Sequence, residues 1–507
     1  MSTFNTFAKE PSAILNHEGG EAFALTPELE LYTAVVTASL SNKFYETAKE
    51  RIDRIASLIG KCDVRFVAQL AVYARQKMNL RSVPLLLVVE LAKVHSGDDL
   101  VSRTVEQVVM RADEIMELLV CYQWRNPSTS RKKLGRLSHQ IQVGLQRAFN
   151  RFDEYQFAKY DRDGLEVKLR DALFLVHPKA KDDAQQALFD KIAAQTLATP
   201  YTWETELSAL GQQTFSNEEE KREAFAAKWE ELIGSGRLGY MALLRNLRNF
   251  LNSDVSNEKL AEVAHRLSDE REVLRSRQFP FRFLSAYREL KNVANGQTPL
   301  LLDALEKAAL TSARNIEGFD DTTRVLLACD VSGSMQHPIS PKSSVMLYDI
   351  GLVLAMLLKN RCEHVVSGIF GDTWKVVNLP SEGILSNVDA MYRREGEVGY
   401  STNGYKVIEY LRKNRIIMDK VMLFTDCQMW NSGWSGQTIS KEWNCYKQIA
   451  PDAKLYLFDL AGYGAAPLDI VHDDVFLIGG WSDRIFEILT AIEHGSSAIE
   501  EIRAVEI

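Results

Sequence analysis

The sequence predicts two architectures in one chain: an all-α stack of helical pairs, then a doubly wound α/β domain. Three observations carry this. From about residue 27 to 310, apolar residues recur at helical spacing, one stripe per segment, with short polar connections and no strand-like alternation. After residue 323, short runs rich in Val, Leu, Ile or Phe alternate with helical patterns, as in a parallel sheet covered by helices on both faces. Between them, residues 311–323 (TSARNIEGFDDTT) are polar with one Gly, a natural junction. The 507-residue length fits two or more domains, which we place at 20–320 and 323–507.

In chain order, residues 1–25 read as irregular, with Pro11 and the pair Gly19-Gly20. Val67, Leu70, Ala71 and Ala74 then share one helical face. A second helix starts at Ser82, with Pro84 tolerated in its first turn. Val105, Val108, Val109 and Ala112 repeat the helical spacing, and Leu243, Leu247, Phe250 and Leu251 line the inner side of a helix over 238–251. A further helix opens at Pro280. Stacked pairs of this kind suggest a HEAT-like solenoid, whose ends must be capped or closed into a ring. In the second part, strands are expected at 324–329, 364–370, 420–425, 454–459 and 475–479. Helices are expected near 344–360, 403–414, 436–450 and 482–493. The tail SSAIEEIRAVEI could return as a strand or stay loose.

Composition narrows the function classes. The chain is 46% apolar and 25% charged, and no apolar run approaches the roughly 20 residues of a membrane span. The start, MSTFNTFAKEPS, lacks the basic and apolar regions of a secretory signal. The six cysteines are scattered and read as reduced thiols, so the expected compartment is the cytoplasm. The net charge of −8 argues against bulk nucleic-acid binding, but it is uneven. Residues 323–507 hold 17 basic and 23 acidic side chains, which leaves about −2 for the longer first part and room there for local basic surfaces.

Chemistry concentrates in VLLACDVSGSM, residues 325–335. Its apolar run reads as a strand buried on both faces, and Asp330, Ser332 and Ser334 fall on the loop at its carboxyl end, where open α/β sheets bind ligands. A carboxylate and two hydroxyls suit Mg²⁺ or Mn²⁺ far better than zinc. The alternative is that these residues only cap a helix and fill turns. The motif resembles the metal-ion-dependent adhesion site of von Willebrand factor A domains. That resemblance implies two further ligands, Thr402 in GYSTNGY and Asp426 in VMLFTDCQM, with one position left for water or an acidic group of a protein partner. Cys427 follows Asp426 directly, and catalysis by it is a minor alternative.

Basic signals lie in the helical part. Residues 123–151 carry Arg125, Arg131, Lys132, Lys133, Arg136, His139, Arg147 and Arg151 with no acidic residue among them. Either this is a solvated helix face or it is a phosphate surface, and in an acidic protein we favour the latter. His177 and Lys179 follow the run ALFLV. Arg245 and Arg248, with Asn246 and Asn249 beside them, share the polar side of their helix, and Arg282 and Arg288 lie on the helix opened by Pro280. Arg and Asn suit bidentate phosphate and base-edge contacts, although a solvated face is equally compatible with the residue types.

The segments LFLVHPK, MALLRNLRNF and RQFPFRFLSAYREL, in that order and followed by the metal motif, resemble the TROVE module and A domain of the Ro 60 kDa autoantigen family, in its bacterial form. The resemblance covers about residues 20–507. It implies a non-catalytic RNA-binding protein whose helices close into a ring within one chain. The ring's hole would take single-stranded 3′ ends of misfolded or structured non-coding RNA. Its outer basic surface would take a small Y-like stem-loop RNA, and an exoribonuclease is an implied partner. Carried over by position, His177, Lys179, Arg245 and Asn246 match the family's segments. The alternative reading is a metal-dependent protein-binding or assembly factor that uses the A domain, with the helices as scaffold.

Overall fold

The structure is a computed structural model. It describes residues 13–38, 45–127, 136–161, 164–276, 278, 280–312, 322–339, 343–380, 382–430, 437–469, 474–480, 489 and 497–507. The chain divides into two compact units: Met1–Ile52 with Ala264–Ile499, and Asp53–Val263 with Glu500–Ile507.

The second of these is helical. Helix Val64–Gln76 buries Val67, Leu70, Ala71 and Ala74 as the spacing requires, but it is enclosed on its other sides too, from Phe66 to Arg75. Arg75 tolerates burial because Nη2 pairs with Glu114 at 2.7 Å. Glu114 also explains why Val105, Val108, Val109 and Ala112 do not belong to one helix. Its carboxylate accepts the backbone N–H groups of Met110 (2.8 Å) and Arg111 (3.0 Å). Helix Leu100–Val108 therefore ends, and helix Ala112–Arg125 begins, with all four apolar residues still in the core. Gly144 lets helix His139–Phe149 approach Val105, where a Cβ would meet the valine at 2.4 Å. The C-terminal tail is neither strand nor loose. Helix Ala498–Arg503 leads into an end whose carbonyls at Arg503 and Val505 accept from Gln69 Nε2 (2.6 and 3.0 Å), and Arg103 donates to the Ile507 carbonyl at 2.9 Å.

The other unit holds the sheets. Residues 13–24, expected to be irregular, form a hairpin of β1 (Ala13–Leu15) and β2 (Glu21–Ala24). The main sheet contains β3 (Arg324–Asp330), β4 (His364–Phe370), β5 (Trp374–Val376), β6 (Lys420–Thr425), β7 (Lys454–Asp459) and β9 (Val475–Gly479); β8 (Ala465–Ala466) pairs instead with β2. The order is β5-β4-β3-β6-β7-β9, parallel throughout except for β5. The five expected strands are found within one residue of their expected bounds. The reason is that Val325 to Asp330 and Lys420 to Thr425 are buried on both faces, so each reads as a continuous apolar run. Helices Leu347–Arg361, Tyr405–Lys413 and Ile439–Lys447 match expectation, whereas β5 and helix Ile384–Tyr392 were not foreseen. The helix expected at 482–493 lies largely outside the described residues.

Helices Pro280–Leu290 and Thr298–Ser312 pack within this unit, the latter also against helix Glu270–Ser276. Arg288 grips Asp349 through two 2.6 Å hydrogen bonds and reaches Asp389 at 3.1 Å. Helix Pro27–Val36 lies against the sheet's carboxyl edge: Thr37 donates to the Ala461 carbonyl at 3.1 Å and Tyr32 to that of Gly479 at 3.4 Å. Gly462 permits this approach, since a Cβ there would stand 2.2 Å from the Thr37 hydroxyl. Among the described residues, no helix is long and apolar enough to cross a membrane.

Candidate metal and nucleic-acid sites

Three loops meet at the carboxyl ends of β3, β4 and β6. The backbone stitches them together. Val331 N–H donates to the Phe370 carbonyl (3.2 Å), Asn403 N–H to that of Gly371 (3.0 Å), and Trp430 N–H to that of Thr402 (2.8 Å). Asp372 accepts the Ser401 N–H at 2.8 Å and so holds the loop before Thr402. As a result Asp330, Ser332, Ser334, Thr402 and Asp426, drawn from three separate stretches, are all buried in one unit.

The side chains do not behave as caps. Ser332 precedes the short 3₁₀ turn Gly333–Gln336 yet makes no capping bond, and its hydroxyl lies 3.3 Å from that of Ser334. Asp330 accepts the Ser332 N–H (2.9 Å) and the Thr425 hydroxyl (2.7 Å). Asp426 accepts the Gln428 N–H through Oδ1 (3.0 Å) and is also acted on by the Ser334 hydroxyl, while among the described residues its Oδ2 is buried without a hydrogen-bond partner. Both carboxyls are pushed well above the usual carboxylate range. Burial is the largest cause for each, and the Asp330 charge adds to it at Asp426. Among the described residues, these two desolvated carboxylates side by side, one with an orphaned oxygen, meet no counter-charge. Among the described residues no group of three or more His, Cys, Asp or Glu side chains is placed to hold a metal. Any cation here would therefore depend on the serine and threonine hydroxyls as well as the two aspartates. That donor set is hard oxygen throughout and fits Mg²⁺ or Mn²⁺.

Thr425 was not picked out from the sequence, although it ends β6 just before Asp426 and holds Asp330. Asp459 ends β7 as Asp330 ends β3, and it was missed for the same reason: an apolar run closed by Asp is the only signal. It accepts the N–H groups of Ala461 (3.1 Å) and Gly462 (2.6 Å) and adds negative potential at Asp426. Cys427 is fully buried, and burial followed by the neighbouring carboxylates holds its thiol protonated, which does not suit a nucleophile.

The basic residues scatter by contrast. Arg131, Lys132 and Lys133 lie outside the described residues. Arg136 and His139 are exposed. Arg125 pairs with Glu90 and with Asp53 (3.3 Å), and Arg147 with Glu106 (3.2 Å). Arg151 donates to the Glu106 and Val109 carbonyls. The run thus meets acidic partners from other helices that the local sequence does not show. His177 ends helix Leu169–Val176 in the left-handed conformation (φ 49°) and is exposed, as is Lys179. On helix Tyr240–Asn252, Arg245, Arg248 and Asn249 face solvent. Asn246 does not: it is 1% exposed, donates to the Ala242 carbonyl and accepts from Asn249, both at 2.8 Å. Arg282 is exposed, whereas Arg288 is committed to Asp349 and Asp389.

The TROVE domain family model matches residues 194–299. Arg245, Asn246 and Arg282 lie within the matched TROVE span, and Arg136, His139, His177 and Lys179 precede it. Telomerase protein component 1 of Rattus norvegicus is 26% identical over 421 residues, covering 67% of this chain but 15% of that protein. The Mus musculus protein of the same name is 45% identical over 91 residues, covering 18% of this chain and 3% of its own length. The chain therefore spans only a small part of these relatives. The crystal structure of the Deinococcus radiodurans Ro (RSR) protein superposes with a TM-score of 0.62 at 19% identity, covering 93% of this chain and all of that one. That likeness shows the fold, a helical portion with an α/β sheet domain, and the family match agrees with the TROVE resemblance read from the sequence.

Proposed function

We propose that this chain is a non-catalytic RNA-binding protein. The observation that carries the reading is the TROVE match over a helix whose solvent face shows Arg245 and Arg248 while its other face is core. Cations there neutralise phosphates and release counterions, so affinity should fall with salt. In this reading the helical ring takes unpaired 3′ ends of misfolded or structured RNA. A Y-like stem-loop, and through it an exoribonuclease, engages the basic surface that includes Arg136, His139, His177 and Lys179. Selection rests on single-strandedness and shape rather than base edges. The test is filter binding of a labelled RNA with a single-stranded 3′ tail, against the same duplex without one, over a salt series with and without EDTA. Salt-sensitive, EDTA-insensitive, tail-dependent retention is expected. No retention of either RNA at low salt would remove the reading.

The orphaned Asp426 oxygen favours a second role beside the first. Asp330, Ser332, Ser334, Thr402 and Asp426 would hold Mg²⁺ or Mn²⁺. Two carboxylates balance a divalent charge, so the bound ion would supply a Lewis-acidic position for a partner's carboxylate. The chain's own residues do the rest: they fix the loops, exclude water from the aspartates and set the donor number.

A further inference from the structure

The hairpin between β1 and β2 is pinned onto the Asp426 loop. Asn16 Nδ2 donates to the Met429 carbonyl (2.7 Å), and His17 N–H donates to Gln428 Oε1 (2.8 Å). Asn16 Oδ1 accepts the N–H groups of Glu18 (3.0 Å) and Gly20 (2.8 Å), which fixes the turn. Gly20 is required there, since a Cβ would stand 2.4 Å from the Met429 carbonyl oxygen. A cluster of rings stands beside this turn. His17 stacks on Tyr45 at 5.1 Å between centroids, and Tyr463 meets both edge-on, at 5.5 Å and 5.3 Å. The Tyr45 hydroxyl donates to the Glu18 carboxylate. The Ser334 hydroxyl and the Asp426 carboxylate lie close enough to act on that hydroxyl. Asn16, Gln428 and Met429 serve no ligand role in the metal reading, yet they spend buried hydrogen bonds on holding an acidic turn at this place.

We propose that Tyr45 is a ligand-positioning residue of the metal site and that Glu18 is its resident occupant. The phenol donates to one oxygen of an incoming acidic ligand whose other oxygen seeks the metal, and Glu18 holds that donor until it is displaced. The inference rests on the metal-site reading and adds to it the donor that orients a carboxylate and the group that competes for it. It predicts opposite effects from two neighbouring substitutions, which a purely structural role for the hairpin does not. Glu18→Gln removes the competing charge beside Tyr45. Tyr45→Phe keeps the stacked ring and removes only the donor.

The test uses the full chain, Mn²⁺ and acetate. Binding of Mn²⁺ is followed by loss of its free-ion paramagnetic resonance signal. Acetate binding to the loaded protein is followed by the fall in water-proton relaxation as water leaves the ion. Glu18→Gln should tighten acetate severalfold, and Tyr45→Phe should weaken it about tenfold, the order expected for one hydrogen bond to a charged group. Neither should abolish Mn²⁺ binding, whereas Asp330→Ala should. If the unaltered chain binds no Mn²⁺, the metal reading falls and this inference with it. If Mn²⁺ binds but the two variants move acetate affinity in the same direction, or not at all, the inference alone is overturned.

Discussion

The carboxylate loops and the basic surface are built on opposite terms. Asp330 and Asp426 are fully buried, share a few hydroxyls and meet no counter-charge among the described residues. Arg136, Arg245 and Arg248 are exposed on a helical scaffold, and two other arginines of the basic run, Arg125 and Arg147, are paired with Glu90 and Asp53 and with Glu106. A desolvated cluster concentrates its energy on a few atoms, so single substitutions there should act all or none. A solvated surface spreads its energy over many weak screened contacts, so single substitutions should act by degrees.

The largest break in that contrast is expected from Asp426→Asn. It should weaken Mn²⁺ more than about 100-fold, since a charged ligand is lost. In the absence of metal it should raise the melting temperature, because the repulsion with Asp330 goes. Calorimetry with and without Mn²⁺ reads both effects, and an unchanged affinity would end the metal assignment. The same carboxylates set a pH dependence. Their folded pKa values are raised, so the folded chain holds protons that the unfolded chain has lost. Metal-free stability should then fall as pH rises from the ordinary carboxylate range near about 4 toward neutrality, and Mn²⁺ should flatten the slope. A metal-free melting temperature that climbs steadily over that range would contradict the sign.

Next in size is a control inside the helical unit. Glu114→Ala strands the buried Arg75 and two backbone N–H groups, and should cost about 3–5 kcal/mol in denaturant unfolding. It shows whether burial, rather than the sheet unit as such, makes a charge decisive. Smaller again is Arg245→Ala with Arg248→Ala. RNA affinity should drop without loss of stability, and the slope of log affinity against log salt should flatten by about 1.4, two phosphate contacts to a single strand. Smallest is Arg147→Ala. Its pairing with Glu106 is exposed and worth about 0–1 kcal/mol, so RNA affinity should barely move. A loss as large as that of the Arg245 and Arg248 pair would show that Glu106 does not neutralise it.

The sheet strands were legible because burial on both faces leaves a continuous apolar run, and each such run ends where the chain must turn. Asp330 and Asp426 follow from that rule together with the motif, and so would Asp459. The inward turn of Asn246 was also open to reading. It lies three residues after Leu243, on the core side, and only its polarity disguised it. The false helix through Val105 and Ala112 shows the limit of periodicity: four core residues kept helical spacing across a break that Glu114 enforces.

By itself, then, the sequence determined what local spacing can encode: a helical part, a parallel sheet after it, and an oxygen-rich loop at the sheet's carboxyl edge. Only the tertiary structure decided which charges meet. Glu106 reached Arg147, Asp349 took Arg288, and a hairpin at residues 13–24 came to rest on Met429. Such pairings join residues from tens to hundreds of positions apart. Their energies depend on burial and distance, quantities that exist only once the chain has packed.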